Sequence, residues 1–234
     1  MIYLYSGTPG SGKSLHQARN VWNRLAAGKP VIANYDVNTS LIKPISKRRG
    51  VGQFVCVDNY ELTPDFLRDF SREYFACHKF HEGEILLFID EAQIVFNCRD
   101  DNMSVKRKDW VTFFTQHRKF GYDIFFVAQF DRMLDRQIRS LIEYEVIHRK
   151  VSNFGVKGWI LSLFAGGNLF VSVKMWYPMK ERIGSEFFRY RRRYSRLYDS
   201  YKDFTGKPAR KIKQNESKTV KTQEPQQIAG SCAS

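Results

Sequence analysis

Residues Gly7 to Ser14 read GTPGSGKS and satisfy the pattern G-x-x-x-x-G-K-[ST]. They follow the short apolar run Ile2-Tyr3-Leu4-Tyr5 and precede a helix-compatible stretch from Leu15 to Ala27. Strand, glycine loop and helix in that order are the context in which this pattern carries chemistry. The glycines let the backbone curl so that successive N–H groups face phosphate oxygens. The helix N-terminus adds its partial positive charge behind them. The expected cradle is Gly7, Thr8, Pro9, Gly10, Ser11, Gly12, Lys13, Ser14 and Leu15. Within it Lys13 is expected to reach the β- and γ-phosphates and the Ser14 hydroxyl to ligate Mg²⁺. The plain alternative is a glycine-rich turn that binds nothing, and the complete pattern with both flanks argues against it.

A second pair of residues refines that chemistry. Ile85-Leu86-Leu87-Phe88-Ile89 is an apolar run ending in Asp90-Glu91. A carboxylate at the C-terminal end of a buried strand can hold Mg²⁺ opposite Ser14, which is the expected place of Asp90. Glu91 is then placed to polarise a water for attack on the γ-phosphate, as a general base. The adjacent acidic pair favours ATP hydrolysis, with an additional strand between the phosphate-loop strand and the Asp-Glu strand. Gln129 ends the apolar run Ile124 to Ala128 and is expected to sense the γ-phosphate or orient the attacking water. Its alternative is a hydrogen-bonded strand end. Arg118, Arg132, Arg136 and Arg139 flank the same run. One of them acting on a neighbouring subunit's nucleotide is weighed against four solvated charges, and His117 reads as structural.

These residues need a scaffold, and the rest of the chain alternates in the way that supplies one. Strands are expected at Pro30–Ala33, Gln53–Val57, Ile85–Ile89, Ile124–Ala128 and Glu143–Arg149, and helices at Pro64 to about Cys77, Trp110–Phe120 and about Arg132–Leu141. Lys43–Gly52 and Asn97–Lys108 read as loops. The pattern predicts an α/β fold of the P-loop NTPase type: three layers, α/β/α, around a mostly parallel sheet. Its 234 residues suit one such domain. Four scattered cysteines, without a C-x-x-C pair, argue for reduced thiols in a cytoplasmic setting and against zinc. No signal peptide is expected, because the first residues already form a core strand.

Gly158 to Val173 carries no charge but falls short of a membrane span and is interrupted by Gly166-Gly167-Asn168. The expectation is a β-hairpin over about 156–177, appended to an ATPase domain of residues 1–187. From 188 the composition turns basic and tyrosine-rich, and from about Lys207 it is polar enough to be expected disordered. Lys180 to Lys221 holds 14 Lys/Arg against 5 Asp/Glu, a large share of a formal net charge of +14. Such a balance points to a polyanionic partner: nucleic acid, an acidic protein face or an anionic membrane.

The chain resembles the zonula occludens toxin family, the ATPase assembly proteins of filamentous phages. The matching residues are GTPGSGKS, Ala33-Asn34, and Leu87-Phe88-Ile89-Asp90-Glu91-Ala92-Gln93. Further on they are Gln116-His117-Arg118 with Gly121-Tyr122-Asp123-Ile124, Ala128-Gln129, and Arg136-Gln137-Ile138-Arg139. The similarity covers roughly the first 150 residues. It implies an ATP- and Mg²⁺-dependent motor for virion assembly or DNA extrusion, working as a homo-oligomer, on the pattern of hexameric DNA pumps. Lys13 and Ser14 carry over to nucleotide and metal, Asp90 and Glu91 to metal and base, and Gln129 to sensing. Single-stranded DNA, phage coat or assembly proteins, and the inner face of the host membrane are the implied partners, with the host cytoplasm as the location. Well-known members continue into a transmembrane helix and a further domain, for which this sequence offers no counterpart. Two other readings stay open: a small-molecule kinase, because GTPGSGKS also resembles nucleoside monophosphate kinases, and an ATP-binding scaffold without turnover.

Overall fold

A computed structural model describes residues 1–48, 50–97, 103–164 and 168–197. The chain opens with strand β1 (Ile2–Ser6), helix α1 (Lys13–Ala26), β2 (Val31–Ala33) and β3 (Phe54–Cys56). Helix α2 (Pro64–Cys77) starts where Thr63 Oγ1 accepts from the Phe66 N–H at 3.2 Å, with Pro64 in the first turn where its missing N–H is harmless. There follow β4 (Ile85–Ile89), the short α3 (Ala92–Val95), α4 (Met103–Gln116), β5 (Tyr122–Val127), the short α5 (Arg136–Arg139) and β6 (Tyr144–Lys150). The described residues close with α6 (Gly155–Phe164), β7 (Leu169–Trp176), β8 (Glu181–Arg189) and the short α7 (Arg192–Ser195).

Among these residues the strands form one sheet in the order β3-β2-β4-β5-β1-β6-β7-β8. The pairings from β3 to β6 are all parallel, and β7 and β8 join antiparallel. β5 lies between β1 and β4, so the additional strand expected from the Asp-Glu pair is present. Every residue of β4 is buried, as a strand covered on both faces requires. One apolar layer sets Ile2, Leu4, Leu87 and Ile124 against Leu67, Phe113 and Ile138 from α2, α4 and α5. The other sets Tyr5, Phe88 and Val146 against Ala18, Val21 and Leu25 of α1. The three-layer α/β/α architecture follows from that division.

The expected hairpin is displaced. Residues 155–164 form α6, and the observed hairpin is β7 with β8, turning at Tyr177–Lys180. An uncharged apolar run does not separate helix from strand by alternation, since both can be apolar all round. Two local signals decide it. Gly155 takes φ 69° and turns the chain out of the preceding tight turn, and Gly158 lies directly against the Val151 carbonyl. The hairpin turn uses Lys180, a non-glycine residue at φ 53°. Helix α4 also begins earlier than expected, at Met103, inside the stretch read as a loop.

The compositional change at residue 188 is not a structural edge. Phe188 is a buried residue of β8, and Tyr194 and Leu197 pack into the layer formed with α1. Arg193 lies over the rings of Tyr194 and Trp22, 4.6 and 5.8 Å from their centroids. Part of the basic, tyrosine-rich segment therefore belongs to the folded body, which extends at least to Leu197. The expected disorder from about Lys207 falls outside the described residues. Among the described residues no helix is long and apolar enough to cross a membrane.

Candidate functional site: a phosphate loop at the C-terminal edge of the sheet

The register sets the ends of three strands flush. Leu4 pairs with Phe126, and Phe126 with Ile89, so Ser6, Ala128 and Asp90 leave the sheet at nearly one level. Gly7 to Gly12 bridge from β1 into α1 across that edge. Gly7, Gly10 and Gly12 all take positive φ (136°, 74° and 94°), conformations that other residues adopt only with strain. A Cβ on Gly12 would sit 2.7 Å from the Phe170 ring, and one on Gly7 would sit 2.5 Å from the His148 carbonyl oxygen. The loop is thus moulded by β6 and β7 as well as by its own sequence. Thr8, Pro9, Gly10 and Ser14 are exposed, while Leu15 is half-buried against the apolar layer between α1 and the sheet.

Lys13 Nζ donates to the carbonyls of Gly7 and Thr8 at 2.5 and 3.2 Å. Burial pushes its ammonium below the ordinary lysine value, and the nearby Glu91 and Asp90 charges oppose that shift. The ammonium and both carboxylates thus share one local field. The Ser11 hydroxyl is buried without a hydrogen-bond partner among the described residues. A curled glycine loop, a spare buried hydroxyl, and a hydroxyl and carboxylate as hard oxygen donors fit a triphosphate with Mg²⁺. Ser14 and Asp90 are the residues that would hold the metal.

Asp90 is buried at the end of β4, and its main chain is gripped from both sides. Asn34, the first residue after β2, donates through Nδ2 to the Asp90 carbonyl at 2.9 Å and accepts at Oδ1 from the Asp90 N–H at 2.7 Å. Glu91 takes a left-handed conformation (φ 46°, ψ 49°), which a non-glycine residue rarely adopts. Its N–H donates to Asp90 Oδ1 at 3.0 Å, and its carboxylate accepts from the Gln93 amide. A strained residue held by its neighbours at the mouth of a loop is a common setting for chemistry.

Gln129 lies two residues beyond Val127, the partner of Tyr5, and lines a groove of about 450 Å³ with Ser6, Gly7 and Thr8 on one wall and Arg149, Asn153 and Phe154 on another. The four arginines do not share a place. Arg118 pairs with Glu143 at 2.6 Å, at the N-terminal ends of the strands and away from the loop. Arg136 and Arg139 lie on α5, and Arg132 is nearest to Gln129 in sequence. His117 is buried, with Nδ1 2.5 Å from the Phe114 carbonyl.

Several residues that the sequence did not single out underpin the loop. His148 Nδ1 lies 3.2 Å from the Ser6 carbonyl, and His148 Nε2 lies 2.8 Å from His16 Nδ1. The pair ties β6 to the start of α1 just behind the phosphate cradle. Burial lowers both imidazoles, His16 to about 4 and His148 to about 3. Glu145 is buried on β6, where Oε1 accepts from Ser6 Oγ at 2.7 Å and Oε2 from Lys180 Nζ at 3.0 Å. Glu145 was visible as an acidic residue inside an alternating strand. The histidines had no signal, since the two lie 132 positions apart.

Comparison with known proteins agrees with this arrangement. The family model described as Zonular occludens toxin (Zot) matches residues 1–205. The Gene 1 protein of Enterobacteria phage M13 is 26% identical over 171 residues, covering 72% of this chain and 48% of that protein. The Gene 1 protein of Escherichia phage If1 is 28% identical over 174 residues, covering 72% and 47%. The chain spans about half the length of the curated relatives it matches. Among solved structures, a DnaB-like replicative helicase shares the fold at a TM-score of 0.53 and 9% identity, covering 82% of this chain and 56% of that one.

Proposed function

Because this chain belongs to the Zonular occludens toxin (Zot) family, we propose that it is the nucleotide-hydrolysing motor of phage morphogenesis, a homo-oligomer driven by Mg-ATP. The observation that carries the reading is geometric: the curled loop of Gly7, Gly10 and Gly12, with Lys13 folded over it, and Asp90-Glu91 leave the sheet at the same edge.

Lys13 leaves the Gly7 and Thr8 carbonyls to meet the β- and γ-phosphates, so the ammonium exchanges two backbone acceptors for charged ones. Loop N–H groups take the remaining phosphate oxygens. Ser14 and Asp90 would hold Mg²⁺, and the chemistry such an ion would supply there is neutralisation of phosphate charge. Glu91 accepts the proton of the attacking water, and the Gln93 amide steadies its carboxylate. Gln129, in the groove beside Gly7 and Thr8, reports the presence of the γ-phosphate or orients the water.

Arg132, Arg136 and Arg139, which follow Gln129 beyond the C-terminal end of β5, are the side chains we offer for service to a neighbouring subunit; Arg118, paired with Glu143, lies at the opposite end of the strands. Single-stranded DNA, coat or assembly proteins and an anionic membrane surface are the partners in this reading, favoured by the net charge of +14. The test is phosphate release together with particle size, measured with ATP in the presence and absence of single-stranded DNA. ATP-dependent assembly with phosphate release supports the motor. A protein that stays monomeric with ATP and releases no phosphate contradicts it.

A further inference from the structure

Helix α6 has an apolar surface that the described residues leave uncovered. Val156, Trp159, Leu163 and Phe164 are 75%, 58%, 61% and 87% exposed, and Ile160 and Leu161 are exposed as well. At 3.6 residues per turn these six side chains cover more than half of the helix circumference. The buried side is narrow: Gly158 and Ser162, one turn apart, face the body of the protein. Monomeric proteins rarely expose a contiguous apolar patch on this scale without a use for it.

The shape and charge of this face select its occupant. A helix apolar over more than half its circumference is convex, and a protein partner would need a deep groove to receive it. A second copy of the chain meeting it across a two-fold axis would bring the same basic neighbours, Arg149 and Lys150, toward their own copies, and like charges oppose that pairing. A lipid surface adapts to any convexity. The sequence around the helix is also one-signed. From Val146 to Met179 there is no acidic residue, while Arg149 and Lys150 close the strand before the helix and Lys157 lies in its sequence. The end of β8 pairs with the start of β7, the strand that follows the helix, so Arg189 lies opposite Leu169. An apolar helix with tryptophan and phenylalanine, flanked by basic residues, has the composition of an interfacial helix on anionic lipid. Its length excludes spanning: ten residues rise about 15 Å, half of a hydrocarbon core of about 30 Å.

We propose that α6 lies in the headgroup region of an anionic membrane, with Trp159, Leu163 and Phe164 in the acyl boundary, and docks the nucleotide site's edge of the sheet against the lipid. This deepens the membrane partnership of the function proposed above and rests on that reading for its purpose, although lipid binding is measured without nucleotide.

The experiment is co-sedimentation of the full chain with phosphatidylcholine vesicles, with and without phosphatidylglycerol. Binding is expected to vesicles containing phosphatidylglycerol, and the pair Trp159→Ser with Leu163→Ser is expected to weaken it at least about tenfold. Binding of a fluorescent ATP analogue should be unchanged in the same variant, which separates loss of docking from loss of fold. Bromine-labelled acyl chains should quench the protein's fluorescence, and the conservative Trp159→Phe should remove most of that quenching. No binding to the anionic vesicles, equal binding to both vesicle types, or quenching that survives Trp159→Phe would overturn the proposal. If the double variant instead dissociates a lipid-free oligomer and leaves vesicle binding intact, the face belongs to a second copy and the proposal fails. A failed hydrolysis assay with intact lipid binding would count against the motor alone.

Discussion

Asn34 grips both polar groups of the Asp90 main chain, donating to its carbonyl at 2.9 Å and accepting from its N–H at 2.7 Å. The contact imitates one more step of strand pairing past the end of β2 and fixes where Asp90 leaves β4. Its orientation is steadied in turn by Asn59, whose Oδ1 accepts from Asn34 Nδ2 at 2.8 Å. Replacing Asn34 by Leu is expected to weaken Mg²⁺-dependent nucleotide binding by about 10–100-fold, the usual effect of losing a group that orients a metal ligand. Titration with nucleotide in the presence of Mg²⁺ and of EDTA checks this, because only the Mg²⁺ arm should change.

The contact of Gly12 with Phe170 leads to a second expectation. Gly12→Ala places a methyl against the ring and forces alanine to φ 94°, a backbone cost of about 1–3 kcal/mol. Nucleotide binding should fall sharply in Gly12→Ala, and adding Phe170→Ala should restore only part of it. Full restoration would mean that the ring contact alone matters and the backbone conformation does not.

The histidine pair makes the fold sensitive to acid. Both imidazoles are depressed below the ordinary value of 6.5, to about 4 for His16 and about 3 for His148, because burial disfavours their charged forms. The unfolded chain therefore binds more protons than the native one in this range. Stability is complete above about pH 6.5 and is lost progressively as pH falls through about 4 and 3. Melting temperature should drop across that interval, and the neutral His148→Gln should flatten the profile. An identical slope in the variant would remove the pair from this role.

Lys180 partly compensates a buried carboxylate. Glu145 keeps Ser6 Oγ as a donor when Lys180 is changed to Met, but loses its cation at 3.0 Å. Lys180 is half exposed, so solvent screens the pair and the expected loss is modest, about 1 kcal/mol or about 2–4 °C in melting temperature. Replacing Glu145 by Ala should cost more, since it also leaves Ser6 Oγ without its acceptor.

Much of this architecture was legible from local signals. α2 was readable to its ends because Thr63-Pro64 marks its start, and the phosphate loop because glycines, Lys13 and Ser14 occur at fixed spacing. The interposed β5 followed from the Asp90-Glu91 pair, which carries topological information. What failed was the stretch from Gly158, where uncharged apolar residues fit helix and strand equally until Gly158 and Ser162 are seen to face the body. The supports of the site were hidden for another reason. Asn34 and Asp90 lie 56 positions apart, and His16 and His148 lie 132 apart, so only the folded sheet brings each pair together.

Hydrolysis led by Glu91 is the centre of the proposed motor, and its strained backbone at φ 46° makes the side chain the one to change. The most direct measurement compares ATP binding and phosphate release in the wild type and in Glu91→Gln. The charge is lost while the contact with Gln93 and the backbone position can persist. The expected result is binding within about threefold of the wild type and phosphate release lowered by at least about 100-fold. Phosphate release at the wild-type rate in Glu91→Gln would contradict the account.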